Sequence, residues 1–234
     1  MRYRTILLLH GASLVEVGIL KLCLDRAWLV CNMVGIDSTY HLAALVATKN
    51  MLILAGYQMY FWSQKNPGLG PKRCLQPTAL DRWIPACPWI FWIYSPLYYL
   101  FFSIAMLCLP NLYGTALQAW LLLMHGSFWH MCFPTKISQE LRAQIRSTPT
   151  DRLTRYIMEL VHTLDSEANA CPSMHCAFAT FLACITYPFY PTLSLLSPPI
   201  VALSCLLSRQ HLLVDILPGF ALGGLHGLVS IALL

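Results

Sequence analysis

Long apolar stretches separated by polar segments dominate the pattern of this chain. Each stretch is close to the roughly 20 residues that a helix needs to cross a bilayer at about 1.5 Å per residue. The pattern therefore predicts an all-α integral membrane protein, a bundle of six transmembrane helices. The stretches cover residues 42–62, 88–109, 112–133, 174–189, 192–207 and 212–234.

The N-terminal residues form a further apolar segment with two possible placements. Residues 5–24 follow a basic start and have an apolar centre, but Glu16 and Lys21 interrupt it. Such a segment can cross the membrane as an extra helix or lie in the interface, and the sequence leaves both open. We divide the chain into N-terminal membrane helices, residues 1–62, and a core, residues 63–234, within one structural domain.

Two polar segments are expected to lie outside the hydrocarbon. Residues 63–87 are rich in proline, glycine and charge. They predict an exposed loop, because proline and glycine break helices and charged groups resist burial in lipid. Residues 134–170 predict a polar, partly helical connection. Its basic residues from Arg142 to Arg155 alternate with acids, which is typical of a solvated helix face.

Composition supports the membrane interpretation and excludes other classes. The chain is 57% hydrophobic and 11% charged, whereas soluble domains have about a quarter charged residues. Its net charge of +5 comes without a Lys/Arg run, so we expect a lipid partner, the bilayer, and no nucleic acid. The sequence indicates no oligomeric state.

No metal site or cofactor is predicted. The ten cysteines contain no CxxC pair, and most lie in apolar stretches where a thiol packs as a small hydrophobe. His125 and His130 are five residues apart and do not share a helix face, so we expect no haem.

Polar residues at membrane depth are costly, and they cluster at two places. One cluster is the run from Asn169 to His175, and the other runs from Ser208 to Asp215. The chain between His175 and His211 is long enough for one helix across the bilayer and another back. We therefore expect the two histidines to meet at one membrane face.

The residue types in these clusters suit phosphate chemistry. His211 and Asp215 are four apart, so on a helix the carboxylate can hold one ring nitrogen and raise the basicity of the other, as a nucleophile requires. Arg209 offers a planar fork of donors to phosphate oxygens. Ser173 opens a helix whose N-terminus favours an anion, and His175 in its first turn is a candidate general acid.

Two further basic residues are candidate phosphate ligands. Lys136 follows a predicted spanning helix that ends at the same face, and Arg142 lies in the same polar connection. Together the candidates predict in-line phosphoryl transfer in two steps, first to His211 and then to water or another hydroxyl, with cations stabilising the equatorial oxygens.

Two motifs carry a resemblance to a known family. CPSMH at 171–175 and SCLLSRQHLLVD at 204–215 resemble the PSxH and SxxxxxxHxxxD motifs of the type 2 phosphatidic acid phosphatase superfamily, which shares a fold with vanadium haloperoxidases. The resemblance implies that His211 is the nucleophile, Asp215 its orienting partner and His175 the acid. It also implies that Ser173 and Arg209 bind phosphate.

Shorter segments resemble one branch of that superfamily, which contains inositol phosphorylceramide synthase-like proteins. The resemblance covers roughly residues 80–220 and rests on DRWIP at 81–85, PWIFWIYSPLY at 88–98 and CFPTK at 132–136.

The sequence departs from the family pattern at two places. The first family motif, K-x6-R-P, is absent, because Ala143 stands seven residues after Lys136 and Arg142 is not followed by proline. Many members carry arginine where this chain has Cys205. In the related branch, a position such as Arg209 supplies the charge instead.

These observations predict a metal-independent membrane lipid phosphatase whose substrate is a lipid phosphate or pyrophosphate. One alternative is a phosphotransferase that moves a phospho-head group to another lipid, and another is a catalytically impaired membrane scaffold or transporter. The positive-inside rule places the polar face in the cytoplasm, whereas the resemblance implies the periplasm or lumen. Phosphate-binding cations distort the rule, so we expect a multi-pass protein with its site on the periplasmic or lumenal face.

Overall fold

The computed structural model describes residues 39–66, 70–98, 112–164 and 169–233, so the predicted N-terminal segment, residues 5–24, lies outside them. The helices are α1 (Thr39–Lys65), α2 (Ala79–Trp83), α3 (Leu112–Cys132), α4 (Gln139–Ser147), α5 (Arg152–Leu164), α6 (Met174–Thr186), α7 (Pro191–Leu207) and α8 (Leu213–Leu233). Between α2 and α3 lie a 3-10 turn, Pro88–Ile90, and a π-helical turn, Ile93–Leu97. The strands β1 (Arg73–Leu75) and β2 (Thr135–Ile137) pair in parallel.

The prediction of a mostly helical chain is confirmed. Helices α1, α3, α6, α7 and α8 follow the apolar stretches, while residues 99–109 of the stretch 88–109 lie outside the described residues. By length and apolar composition, one helix of the described chain, α8, is able to cross a membrane. Helices α6 and α7 are apolar but shorter.

A stripe of glycines brings α8 into close contact with α6. Gly219, Gly223 and Gly227 are four residues apart and therefore lie along one side of α8. A Cβ atom at Gly219 would lie 2.5 Å from the Ser173 carbonyl oxygen, and one at Gly223 would overlap the Ala177 carbonyl. Only glycine allows this approach, and it holds the starts of the two helices together.

The core lies where α6 packs against α7 and α8. Phe181 and Leu182 of α6 are fully buried, as are Cys176 of α6 and Cys205 of α7. A second contact joins α1 to α3, where the buried Leu123 of α3 packs against Gly56 of α1. The sequence places the polar clusters at the ends of α6 and α7, so this core determines how those ends meet.

The segment 63–87 is only partly the exposed loop that its composition predicts. Most of its residues are exposed, but Cys74 pairs with Lys136 across the two strands and Asp81 is 1% exposed. Asp81 closes a capping box with Thr78, whose backbone N–H donates to Asp81 Oδ2 at 2.8 Å while Thr78 Oγ1 accepts from Asp81 N. The segment is held because this carboxylate also binds the start of α8.

Candidate active site

The turn between α7 and α8 carries the proposed nucleophile. The backbone N–H groups of Gln210 and His211 both donate to the Cys205 carbonyl, at 3.1 and 3.2 Å, which folds the chain back tightly after α7. Arg209 adopts a left-handed conformation with φ of 57°, a backbone state that is uncommon for residues other than glycine. The turn is therefore held by surrounding contacts.

Helix α2 supplies those contacts. The Arg209 guanidinium donates from Nη1 to the Asp81 carbonyl at 2.5 Å and from Nη2 to the Ile84 carbonyl. The Leu213 N–H donates to Asp81 Oδ1 at 2.9 Å. The segment DRWIP thus fixes the turn through both its backbone and its buried carboxylate, and Arg209 is 2% exposed beneath it.

The ring of His211 is oriented through its Nδ1 atom. Nδ1 lies 3.1 Å from the Ala170 carbonyl oxygen and 3.2 Å from Asp215 Oδ1. Both neighbours are acceptors, so Nδ1 carries the ring proton and Nε2 carries the lone pair. The carbonyl takes the hydrogen bond, and the carboxylate makes a charge contact with the same edge of the ring.

Asp215 reaches His211 by a route that differs from the predicted one. A shared helix face was the expected reason, yet α8 begins at Leu213, two residues after His211. Asp215 lies in the first turn of α8 and reaches back, with Oδ2 accepting from Leu212 N at 3.1 Å. Its contact with the ring therefore depends on the capping geometry of α8.

His175 lies in the first turn of α6 and faces His211. Its ring stacks on Tyr94, with centroids 4.1 Å apart, and its centroid is 6.1 Å from that of His211. One nitrogen of each ring lies within 4.8 Å of the other. The two histidines lie close together, as expected, because α6 leads the chain away from His175 and α7 leads it back to the turn that contains His211.

Both histidines line an open pocket that also contains Arg142. The pocket has about 720 Å³ of empty space, part of it continuous with the solvent, and Asn169 and Gln210 are among its other lining residues. Arg142 was both a candidate phosphate ligand and a member of a segment expected to form a solvated helix face. It is 2% exposed, because α4 packs this side inward. The structure therefore brings a guanidinium to the two imidazoles.

Three predicted phosphate ligands are not among the residues that line this pocket. Lys136 lies in β2 and is half-buried. Ser173 caps α6, accepting from Cys176 N at 3.4 Å, while its own N–H donates to the Asp215 carbonyl at 3.0 Å. Arg209 donates to the Asp81 carbonyl of α2 and to the Ile84 carbonyl that follows it. Their roles as phosphate ligands stay predictions, and the contacts observed for Ser173 and Arg209 are structural.

Several pocket residues were not singled out from the sequence. Tyr60, from α1, lines the pocket and contacts Asn169 through its hydroxyl, so α1 takes part in the site. Gln210 Nε2 lies 2.8 Å from His162 Nε2. The signal that would have found Asp81 is the Thr-x-x-Asp capping pattern before α2, whereas Tyr60 carries no such signal.

The arrangement combines a ring nitrogen with a lone pair, a second imidazole and a guanidinium around one pocket. These are the groups of nucleophilic catalysis with acid-base assistance on an anionic substrate. Comparison of the chain with protein-family models, with curated proteins and with solved structures finds no match in any of the three.

Proposed function

We propose that this chain is a multi-pass membrane lipid phosphatase of the type 2 phosphatidic acid phosphatase kind, acting through a phosphohistidine at His211. The observation that carries the proposal is the His211 ring. Its Nδ1–H donates to the Ala170 carbonyl and lies beside the Asp215 carboxylate, so Nε2 bears the lone pair, in a pocket shared with His175 and Arg142. A lipid phosphate or pyrophosphate is the proposed substrate.

Large apolar side chains on the outer helix surfaces support a place in the bilayer. Leu217 and Leu228 of α8 are 69% and 65% exposed, Leu195 of α7 is 65% exposed and Phe128 of α3 is 62% exposed. In water, an apolar surface of this extent would be a liability, whereas it is the ordinary surface of a helix that faces lipid. We propose a bundle of six spanning helices with the pocket at its periplasmic or lumenal face.

In the first chemical step, His211 Nε2 attacks phosphorus. An N–P bond forms while the P–O bond to the lipid breaks, and His175, as general acid, gives the leaving oxygen its proton. A phosphate between the rings needs about 3 Å from nitrogen to phosphorus and about 3 Å from the leaving oxygen to the acid. The ring centroids are 6.1 Å apart, so the two rings have to move apart to admit a phosphate between them.

Charge stabilisation falls to the two residues beside the rings. Arg142 supplies N–H donors to the equatorial phosphoryl oxygens, where negative charge spreads in the transition state. Asp215 stabilises the positive charge on the His211 ring as the phosphohistidine forms. In the second step water attacks phosphorus, His175 takes its proton, the N–P bond breaks and phosphate leaves.

Phosphate release in detergent tests the proposal. Purified protein with EDTA and either phosphatidic acid or a prenyl pyrophosphate should release phosphate, and His211→Asn should lower the rate by at least about 1,000-fold, as loss of a nucleophile does. His125→Asn is the matched control, because His125 is exposed on α3 and pairs with His226 outside the pocket. Activity that survives in His211→Asn would remove the nucleophile.

The fate of a phosphate label separates hydrolysis from transfer. Label from the substrate should appear first in an acid-labile, base-stable phosphoenzyme and then as free phosphate. Label that appears in a second lipid would assign a phosphotransferase instead. If no phosphoenzyme forms with either substrate, and Asp215→Asn leaves the cellular function intact, the chain is a noncatalytic membrane protein.

A further inference from the structure

A third side chain with metal-binding chemistry lies beside the two histidines. His175, Cys205 and His211 each offer one ligand atom, and these three atoms lie within 4.8 Å of one another. Cys205 is fully buried in the last turns of α7, and its carbonyl accepts the backbone N–H of His211. The fold thus brings a thiol to the two imidazoles on the buried side of the pocket.

The spacing of these atoms is close to that of a tetrahedral metal site. Zinc bonds of about 2.0–2.1 Å to nitrogen and about 2.3 Å to sulfur place neighbouring ligand atoms roughly 3.3–3.8 Å apart. The limit of 4.8 Å exceeds these separations by about 1.0–1.5 Å, so binding requires the side chains to rotate toward the ion. The pocket, lined by His175 and His211, is the entry path for the ion.

The groups that contact His211 Nδ1, the Asp215 carboxylate and the Ala170 carbonyl, are also typical of a metal site. Histidine ligands of zinc usually donate their second ring N–H to a carboxylate or carbonyl, which fixes the tautomer and raises the basicity of the ligating nitrogen. His211 Nδ1 contacts both types of group, Asp215 Oδ1 at 3.2 Å and the Ala170 carbonyl at 3.1 Å. The Nε2 atom of His211 therefore has a lone pair that can bind a cation or attack phosphorus.

We propose that His175, Cys205 and His211 bind a borderline or soft divalent ion, with Zn²⁺ as the representative, and that this ion inhibits phosphoryl transfer. Two imidazoles and a thiolate select such ions, whereas Mg²⁺ and Ca²⁺ prefer oxygen ligands. Binding displaces the Cys205 thiol proton to solvent and uses the Nε2 lone pair of His211. The inhibitory part rests on the proposed phosphatase function, and the binding part does not.

Cobalt spectroscopy tests binding without any enzyme assay. Full-length protein titrated with Co²⁺ should develop a thiolate-to-cobalt charge-transfer band and tetrahedral d–d bands in the visible range. Cys205→Ser should lose the charge-transfer band and raise the cobalt Kd by at least about 100-fold, since even outer-shell changes cost 10- to 100-fold. Cys184→Ser is the matched control, because Cys184 packs against Gly227 farther along α6.

A second variant guards against misfolding of Cys205→Ser. His175→Gln should keep the charge-transfer band, because the thiolate remains, but should weaken cobalt binding by a similar factor. No charge-transfer band in the unaltered protein, a band that persists in Cys205→Ser, or equal loss in Cys184→Ser would overturn the site.

Inhibition by Zn²⁺ separates this proposal from the proposed function. Phosphate release should fall as Zn²⁺ rises, recover on addition of EDTA, and need at least about 100-fold more Zn²⁺ in Cys205→Ser, relative to the metal-free rate of that variant. A cobalt spectrum that depends on Cys205 in a protein without phosphatase activity would end the proposed function and leave the metal site standing. Activity lost in EDTA and restored by Zn²⁺ would overturn the inhibitory role.

Discussion

We expect a substitution at the contact between α6 and α8 to lower both the stability and the activity of the protein. Replacing Gly219 by alanine adds a Cβ atom 2.5 Å from the Ser173 carbonyl oxygen and 3.1 Å from the Cβ atom of Cys176. Replacing Gly224 by alanine places the new atom 4.0 Å from Thr180 Cγ2, in ordinary contact. The two variants carry the same chemical change on the same helix and differ only in the space available.

The expected loss of stability can be worked out from the distance between the added Cβ atom and its neighbours. A carbon and a carbonyl oxygen normally approach to about 3.3 Å, so Gly219→Ala must separate the helices by roughly 0.8 Å, and such overpacking costs about 1–3 kcal/mol. Both variants gain about 0.5–1 kcal/mol because alanine has the higher helix propensity. This gain cancels in the comparison, so Gly219→Ala should be about 1–3 kcal/mol less stable than Gly224→Ala.

Activity should respond more strongly than stability. The displaced carbonyl belongs to Ser173, two residues before His175, so the same shift moves that ring relative to His211. A misplacement near 1 Å costs on the order of 100-fold in rate. Gly219→Ala should therefore lose about 10- to 100-fold in kcat, whereas Gly224→Ala keeps the original rate.

Thermal unfolding in detergent and phosphate release measure the two effects. At this chain length 1 kcal/mol corresponds to about 2–4 °C in the unfolding midpoint. Equal midpoints for the two variants would show that the glycine stripe does not govern the approach of α8. A lower midpoint for Gly219→Ala with an unchanged rate would separate the helix contact from the geometry of the site.

Four further predictions concern single residues. Asp215→Asn should lower kcat by about 100- to 10,000-fold with little change in KM, because a neutral amide cannot stabilise the charged ring; an unchanged kcat would remove its role. Arg209→Lys should lower the free energy of unfolding by about 1.5–3 kcal/mol, because one lysine ammonium cannot reach both carbonyls. Arg142→Lys should raise the KM for substrate more than Arg209→Lys does. The reverse order of KM values would make Arg209 the phosphate ligand. Burial, and then the charge of Asp215, raises the pKa of the Cys171 thiol to about 11. Alkylation of Cys171, followed by peptide mass spectrometry, should therefore be about 100-fold slower at pH 8 than for a thiol of pKa 9, and its rate should rise with pH up to about 11. Fast alkylation at pH 8 would contradict this. Cys74 is exposed and lies in the segment that we propose to be outside the hydrocarbon. A membrane-impermeant maleimide should therefore label it from the non-cytoplasmic side of sealed vesicles, and labelling from the cytoplasmic side alone would reverse the proposed orientation.

The sequence motif DRWIP, residues 81–85, was singled out for its resemblance to a phosphatase family, and the structure shows what its first residue, Asp81, contacts. Asp81 looks like one charged residue in an exposed loop when only local composition is considered. Its carboxylate is buried because it binds the Leu213 N–H, and its carbonyl accepts from Arg209. Both partners lie about 130 residues away along the chain, and no local pattern records such a distance.

Arg142 and Arg209 also show that the sequence does not determine where a charged side chain points. By residue type and position in the sequence, Arg209 is the natural phosphate ligand beside His211. Arg142, also a candidate ligand, lies in a segment whose pattern is typical of a solvated helix face. In the structure Arg142 lines the pocket, whereas Arg209 donates to the Asp81 and Ile84 carbonyls. Sequence identifies the guanidinium groups, but the direction in which each points depends on neighbours brought in by the fold.

The sequence by itself determined the helical character of the chain, the placement of its apolar helices and the pairing of His175 with His211, because helix length and hydrophobic spacing are local properties. Tertiary structure alone decided which cation enters the pocket, that Tyr60 joins it, and that the Cys205 thiol lies beside both imidazoles. These depend on the close approach of α8 to α6 and on the buried contacts of α2. Such contacts are made between residues far apart in the chain, and their energies have no counterpart in any local sequence pattern.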